Sequence, residues 1–350
     1  MIVKKLTLKN YRNHKYISLL FDPSINLITG ENGVGKTSVI EAIYYLSLAR
    51  SFRGAEDNEL ILHGSELSQI DATIVEGNIT REMRVIITDS AKKIFINGKP
   101  IYKLSELTKV VNVVLFEPKD VLLFRGLPKA RRDFIDISIS KKSPPYFEYL
   151  SRYDKLIKIR NNLLKEDVVD RKLLEANTEM LVKISGPIVS YREVYIKDIN
   201  DILNKIARVL TGENNKIEVI YNPFVKYDKD FQKNALNAFN RVLESDLRRK
   251  VSSIGPHRED FVVMLNGKEI GTFGSQGENR IVALALKLSP YFLIDDRAKR
   301  PIVVLDDVMS ELDQAHQTKL IKFLRNFEQV FITATQLSVP NVKQYTLKAK

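Results

Sequence analysis

The sequence contains no cysteine and only 4 histidines among its 350 residues. The lack of thiols excludes disulfides, thiolate metal sites and cysteine nucleophiles, and so few imidazoles leave little material for a histidine-rich metal centre. No apolar run approaches the roughly 20 residues that a helix needs to cross a bilayer, and the first residues lack the apolar segment of a signal peptide. We therefore expect a cytoplasmic protein whose chemistry depends on carboxylates, hydroxyls, Lys, Arg or a bound ion.

Basic side chains outnumber acidic ones, since 55 Lys and Arg against 43 Asp and Glu give a net charge of +12. Hydrophobic residues make up 44% of the chain, which is enough for a sizeable core. The positive surplus favours a polyanionic partner such as nucleic acid, although charge alone does not separate DNA-binding proteins from other basic proteins.

The apolar spacing predicts a β-rich beginning, a helical middle and a return to strands. Two strands meet around Tyr11, a buried strand at 25–28 runs into Gly30, a helix follows from Thr37, and a further strand spans 110–116. The turn pairs Gly77-Asn78 and Asn97-Gly98 predict an antiparallel sheet.

Helical spacing then extends from 144 to about 250, with a break expected at Pro187, and strands return at 261–265, 302–305 and 330–332. The predicted segments are 1–140, a helical insert at 141–250, and 251–350.

Residues 30–37 read GENGVGKT and match the P-loop pattern between a predicted strand and a predicted helix. The glycines let backbone N–H groups surround phosphate oxygens, Lys36 reaches the outer phosphates, and the Thr37 hydroxyl binds Mg²⁺. The pattern therefore predicts a nucleotide site. Its residues are Gly30, Glu31, Asn32, Gly33, Val34, Gly35, Lys36, Thr37 and Ser38.

Three further motifs follow the P-loop in the order that is typical of ABC-type ATPase heads. Residues 301–307 form an apolar strand that ends in two carboxylates, of which Asp306 would hold Mg²⁺ and Asp307 would polarise the attacking water. Before this strand, Ser275 and Gly277 begin a helix of the form S-x-G-x-x-R, which offers a second phosphate site, and S-E-L-D follows at 310–313.

Several motifs resemble those of the RecF family of bacterial recombination-repair proteins, which are relatives of the SMC-type heads. They are KNYRNH at 9–14, LARSFR at 48–53, GPHR at 255–258, SQG at 275–277, and LDD with SELD at 305–313. The family commonly has two glutamines after SQG, whereas this chain has Glu278 and Asn279. No Q-loop glutamine or H-loop histidine can be assigned.

The resemblance implies an α/β fold, an ABC-type ATPase head with a P-loop parallel sheet, an antiparallel β subdomain and an inserted, mainly helical lid domain. It also implies ATP and Mg²⁺ as cofactors, with Arg12 and Asn13 joining the nucleotide site, and a weak DNA-stimulated ATPase. Asp307, Lys36 and Ser275 would be the catalytic residues. Ser275 and Gly277 would reach the γ-phosphate of a neighbour's ATP in a dimer.

The implied partners are gapped DNA or a junction of single-stranded and double-stranded DNA, RecR- and RecO-type proteins, and a second copy of the chain. Hydrolysis would release the dimer after it has helped to load a RecA-type recombinase. No base-reading element is evident, so binding should follow the DNA backbone or junction shape. The residues assigned to DNA are Arg50, Arg53, Lys129, Arg131 and Arg132, and other basic runs lie at 141–142 and 248–250.

Two other interpretations remain. The ATPase subunit of a membrane transporter shares the same motif order, but Lys36 and Asp306 lie 270 positions apart, farther than such a subunit needs. A nucleotide-controlled scaffold for partner proteins is also compatible with these motifs.

Overall fold

The computed structural model describes residues 1–102, 106–212, 214–337, 339–340 and 342–348. The chain divides into two compact units. The first consists of Met1–Asp120, Ile206–Glu213 and Arg280–Lys350, and the second of Val121–Lys205 and Asn214–Asn279. Within the described residues, no helix is both long and apolar enough to span a membrane.

Strands dominate the first unit, and helices dominate the second. The strands are β1 Ile2–Tyr11, β2 His14–Leu20, β3 Ser24–Thr29, β4 Leu67–Glu76, β5 Ile79–Thr88, β6 Lys92–Ile96, β7 Lys99–Ile101, β8 Val113–Phe116, β9 Ile217–Asn222, β10 Asp260–Leu265, β11 Lys268–Glu269, β12 Ile302–Leu305, β13 Gln329–Ala334 and β14 Lys343–Thr346. The helices are α1 Lys36–Leu48, α2 Leu107–Val110, α3 Pro128–Lys142, α4 Pro144–Leu163, α5 Arg171–Thr211, α6 Phe231–Arg249, α7 Ile270–Phe273, α8 Gln276–Phe292 and α9 Gln314–Leu324.

The first unit contains two sheets. An antiparallel sheet has the strand order β2-β1-β4-β5-β6-β7, and the predicted turns at Gly77-Asn78 and Asn97-Gly98 join its hairpins. A parallel sheet has the order β14-β3-β13-β12-β8. Because parallel strands end at the same edge, the loops after β3 and β12 emerge on one side of this sheet.

Helix α1 lies in a core that it shares with both sheets. Val39 and Ile43 of α1 are fully buried in one cluster with Leu6 of the antiparallel sheet and Val304 of the parallel sheet. The helix is buried over most of its surface instead of along the single apolar face that the sequence predicts. This burial holds the first turn of α1 against the end of β3, where the P-loop lies.

The second unit combines helices with a small antiparallel sheet in the order β11-β10-β9. Two arginines of this unit are buried and paired: Arg192 pairs with Asp136 and Glu259, and Arg160 pairs with Asp246. Buried charges are tolerated only where they are paired and hydrogen-bonded, as they are here. Strand β9 was not predicted.

The structure differs from the sequence predictions in its helices. Helical structure begins at Pro128 instead of 144, and a proline at the first helical position is a signal that the sequence offered. Helix α5 continues through Pro187, where a break was expected. A proline inside a helix costs about 3 kcal/mol. Burial of Val182 and Val189 with Phe231 offsets this cost.

The compact units also have different limits from the predicted segments. The second unit begins at Val121 and extends to Asn279, whereas the insert was predicted at 141–250. The reason is that α3 and β10 pack with elements of the predicted insert: Asp136 on α3 pairs with Arg192 on α5, and β10 pairs with β9. The assignment of the insert as a lid domain remains a prediction.

Candidate functional site

The P-loop occupies the turn between β3 and α1, as the motif predicts. Gly30, Gly33 and Gly35 all have positive φ, and a Cβ on Gly35 would lie 2.3 Å from the His14 ring. Glycine is therefore required where the loop passes this imidazole. The Lys36 ammonium donates hydrogen bonds of 2.8 Å to the carbonyls of Gly30 and Glu31, which places its charge inside the loop.

The turn between β1 and β2 braces the P-loop from outside. The Asn13 amide donates to the Gly33 carbonyl at 3.0 Å, and the Ser38 hydroxyl donates to the Asn13 side-chain oxygen at 3.3 Å. His14 Nε2 lies 3.1 Å from the Gly35 carbonyl. Asn13 thus contacts the backbone of the P-loop. Its contact with nucleotide remains a prediction. The role of His14 was missed, although it belongs to the KNYRNH motif.

Arg12 has a different set of partners. Its guanidinium binds both carboxylate oxygens of Glu41 on α1, at 2.8 and 2.9 Å, and donates to the Glu59 carbonyl at 3.1 Å. Hydrogen bonding to Glu41 raises the pKa of Arg12, so its charge is permanent. Arg12 is held beside the P-loop helix by this pair, and its assignment to the nucleotide site remains a prediction.

The carboxylate after β12 lies next to the first turn of α1. Thr37 Oγ1 donates to Asp306 Oδ1 at 3.2 Å, and the Thr333 hydroxyl donates to the same oxygen at 2.7 Å. Burial raises the pKa of Asp306, and the two hydroxyl bonds oppose that rise. The sequence motifs predict that Thr37 and Asp306 bind one metal ion, and the fold brings these two side chains together. Thr333 was missed, because a threonine inside a buried strand carries no motif.

This donor set fits Mg²⁺. The ion prefers hard oxygen ligands and usually takes one or two from the protein, with phosphates and water completing its shell. Asp306 and Thr37 offer one carboxylate and one hydroxyl within 3.2 Å of each other. Among the residues that the structure describes, no group of three or more His, Asp or Glu side chains could hold a metal ion.

Asp307 differs from Asp306 in its surroundings. Its side chain is exposed, and its backbone has a φ of 49°. The backbone N–H of Asp307 donates to Thr333 Oγ1 at 2.9 Å, which ties the left-handed turn to β13. The carboxylate therefore extends from a fixed backbone into solvent, as a group that orients a water molecule requires.

Ser275, the residue before α8, caps that helix. Its hydroxyl accepts from the Glu278 N–H at 3.3 Å, while the Glu278 carboxylate accepts from the Ser275 N–H at 2.8 Å. This reciprocal pair is a capping box. Asn279 donates to the carbonyls of Gly274 and Ser275, so the two residues that replace the family's glutamines both shape the turn. A Cβ at Gly277 would meet nothing within 4 Å. The predicted contact of Ser275 and Gly277 with nucleotide remains a prediction.

The arginine of the S-x-G-x-x-R pattern contacts the S-E-L-D segment. Arg280 donates to the Glu311 carbonyl at 2.8 Å and pairs with the Glu311 carboxylate. Asp313 caps α9 through the His316 N–H. The link between Arg280 and Glu311 was not predicted, since nothing in the spacing shows which acidic residue an arginine meets.

The candidate DNA residues fall into two groups. Arg131 binds both oxygens of Asp260 at 2.8 Å, Arg132 donates to the Glu259 carbonyl, and Lys129 pairs with Asp133. The side chains of Arg50 and Arg53 are exposed, as is that of Lys129. The contacts with Asp260 give Arg131 a structural role in the second unit. The assignment of the five residues to DNA remains a prediction.

Comparison with known proteins agrees with these motifs over nearly the whole chain. The family described as "RecF/RecN/SMC N terminal domain" matches residues 2–348. A protein of Oceanobacillus iheyensis named "DNA replication and repair protein RecF" is 34% identical over an alignment that covers 99% of this chain and 96% of that protein. The chain belongs to the RecF family.

Other RecF proteins are similarly close. One from Lachnoclostridium phytofermentans is 33% identical, with 96% of this chain and 93% of that protein covered. A solved structure described as the recombination mediator protein RecF with ATP in the RecFOR pathway has a TM-score of 0.89 at 31% identity and covers 99% of this chain and 95% of that one. These matches confirm the predicted RecF family. They exclude the alternative that the chain is the ATPase subunit of a membrane transporter.

The same comparison confirms the ABC-type α/β fold. An Smc head domain from Pyrococcus furiosus has a TM-score of 0.57 at 15% identity and covers 95% of this chain and 89% of that one, a likeness of fold alone.

Proposed function

We propose that this member of the RecF family is an ATP-binding and DNA-binding protein of recombination repair and replication-gap processing. The observation that carries the proposal is the contact of Thr37 with Asp306 beside the P-loop, because it assembles the phosphate loop and the Mg²⁺ ligands in one place. The ATP complex of the RecF relative and the name that the relatives share support the same conclusion.

ATP would bind with its outer phosphates against the P-loop N–H groups and the Lys36 ammonium. Mg²⁺ would be held by Thr37 and Asp306, and Asp307 would orient the attacking water. Ser275 and Gly277 of a second copy would contact the γ-phosphate through the N-terminal end of α8, so that ATP becomes part of a dimer interface. Loss of the γ-phosphate would weaken that interface, which makes hydrolysis the release step.

The dimer would hold gapped DNA or a junction of single-stranded and double-stranded DNA through phosphate contacts, with weak ATP hydrolysis that DNA stimulates. RecR- and RecO-type proteins would be the protein partners, and loading of a RecA-type recombinase would be the outcome. The proposed location is the cytoplasm.

Sedimentation with and without ATP, ADP and gapped DNA tests this function. We expect a monomer alone and with ADP, a dimer with ATP, and a faster-moving complex when gapped DNA is added to the ATP-bound protein. ATPase activity should rise with DNA. Equal dimerisation with ADP would contradict the ATP-dependent clamp, and stimulation by a partner protein but not by DNA would favour the scaffold.

A further inference from the structure

The segment after α1, residues 49–53, carries the two exposed arginines, Arg50 and Arg53; we call it the arginine loop. Other parts of the first unit hold its backbone in place. Lys92 Nζ donates to the Ala49 carbonyl at 2.6 Å, and Lys119 Nζ donates to the Phe52 carbonyl at 3.1 Å. The loop therefore presents its arginines from an anchored backbone.

A third anchor joins the arginine loop to the P-loop helix. The buried Ser51 hydroxyl donates to Glu41 Oε1 at 2.5 Å and accepts from the Arg53 N–H at 3.0 Å. The Glu41 side chain, on α1, is 0% exposed and also binds the Arg12 guanidinium with both oxygens. One buried carboxylate thus connects α1, the arginine loop and the turn between β1 and β2.

These bonds are costly to break one at a time. A buried carboxylate is stable only while its hydrogen-bond partners remain, because removing a partner leaves the charge without compensation. Glu41 follows Thr37 by about one helical turn, so it moves with the part of α1 that would contact phosphate and metal. A shift of this turn has to carry Ser51 and Arg12 with it.

We propose that Glu41 and Ser51 are positioning residues that couple the nucleotide at the P-loop to the position of Arg50 and Arg53. This proposal rests on the proposed ATP site. A nucleotide that moves the first turn of α1 resets the arginine loop through the Ser51–Glu41 bond, and the two exposed charges change their position with it.

Three variants isolate that bond. Ser51→Ala removes the hydroxyl and leaves the pair of Arg12 with Glu41 intact. Ser51→Thr restores a hydroxyl at the same place. Ser47→Ala is the matched control. The buried Ser47 hydroxyl lies on α1, the helix that carries Glu41, but it donates to the Tyr44 carbonyl within that helix.

The absence of cysteine permits a direct measurement. Arg50→Cys introduces a single thiol on the arginine loop, and its rate of reaction with a maleimide is measured with and without ATP. We expect ATP to change this rate by about 5-fold, the lower end of typical coupling between sites. Adding Ser51→Ala should remove most of the change, whereas Ser51→Thr and Ser47→Ala should retain it.

ATP affinity is measured on every variant in parallel and should stay within about twofold of the parent, since Ser51 does not contact the P-loop. Normal ATP binding with an unchanged labelling rate would overturn the coupling and leave the proposed function standing. A full response in Ser51→Ala, or a loss of its ATP affinity, would also overturn the coupling. Failure of the parent protein to bind ATP would refute the proposed function, and this inference with it.

Discussion

Lys36 is the side chain on which nucleotide affinity should depend most. Its ammonium lies inside the P-loop, bonded to the carbonyls of Gly30 and Glu31, where it can transfer to phosphate oxygens. Lys36→Ala should weaken ATP binding by about 100-fold, because a hydrogen bond between charged groups is lost. Equilibrium titration with ATP measures this effect. Lys15→Ala, an exposed lysine on β2, should leave the affinity unchanged, and equal affinity in both variants would contradict the assignment.

Replacing Asp306 or Asp307 by asparagine should have different effects on ATP binding and hydrolysis. Asp306 is buried against Thr37, so Asp306→Asn should weaken Mg²⁺-dependent ATP binding. Asp307 is exposed, and Asp307→Asn should preserve ATP binding but slow hydrolysis by at least about 100-fold. Binding titrations with and without Mg²⁺, combined with single-turnover hydrolysis, distinguish the two roles. A similar loss of binding in both variants would show that the roles are divided incorrectly.

His257 should make the protein sensitive to mild acid. Its Nδ1 lies 2.7 Å from the Tyr153 hydroxyl, and burial lowers its pKa from the ordinary 6.5 to about 4. The unfolded chain therefore binds a proton at this group between pH 6.5 and 4, while the folded chain does not, so stability falls as the pH falls through this window. Between pH 7 and pH 5 the loss from this group is about 2 kcal/mol.

Denaturant unfolding at both pH values, on the wild type and on His257→Gln, measures this contribution. The variant should lose about 2 kcal/mol less than the wild type on acidification. If the two proteins lose the same free energy, His257 is not the group that titrates.

Helix α3 carries two kinds of positive charge that the basic run alone does not distinguish. Arg131 binds both oxygens of Asp260 and is mostly buried, whereas Lys129 forms an exposed pair with Asp133. Arg131→Ala should lower the free energy of unfolding by about 2 kcal/mol or more, because it leaves a partly buried carboxylate unpaired. Lys129→Ala should change it by less than about 0.5 kcal/mol. Comparable losses in the two variants would contradict the structural role of Arg131.

The arginine loop, and not Arg131, should supply the contacts to DNA phosphates. Each phosphate contact on duplex DNA adds about −0.9 to the slope of log affinity against log salt. Arg50→Ala and Arg53→Ala should each flatten that slope by about this amount and weaken binding to all sequences alike. Titrations of gapped DNA at several salt concentrations measure the slope. An unchanged slope in both variants would place the DNA surface elsewhere.

Assembly of two copies of the chain should depend on Ser275. Ser275 begins α8 with its hydroxyl and N–H in the capping box, and a long cation at this position would disturb any phosphate contact across two copies. Ser275→Arg should leave ATP binding by the monomer nearly normal, abolish ATP-dependent dimerisation and reduce hydrolysis to background. Sedimentation with ATP tests this, and a variant that still forms the dimer would refute the shared site.

Much of the candidate site could be predicted from the sequence because its motifs are local. A glycine-rich loop between a strand and a helix needs only adjacent residues, and Lys36, Thr37 and the carboxylates after β12 were identified in this way. The antiparallel sheet was predictable for the same reason, since its turn pairs and alternation lie within short windows.

The partners of these residues could not be predicted, because they come from distant parts of the chain. Thr333 on β13 donates a hydrogen bond to Asp306, which follows the neighbouring strand β12. The Glu41 carboxylate accepts hydrogen bonds from Arg12 and Ser51, which lie in separate loops. Continuity of α5 through Pro187 likewise depends on burial against α6. The residues' own chemistry and short-range spacing specify the loop, the sheets and the family. Long-range packing, which alone can compensate a buried charge or a missing helix bond, specifies which side chains are free to act.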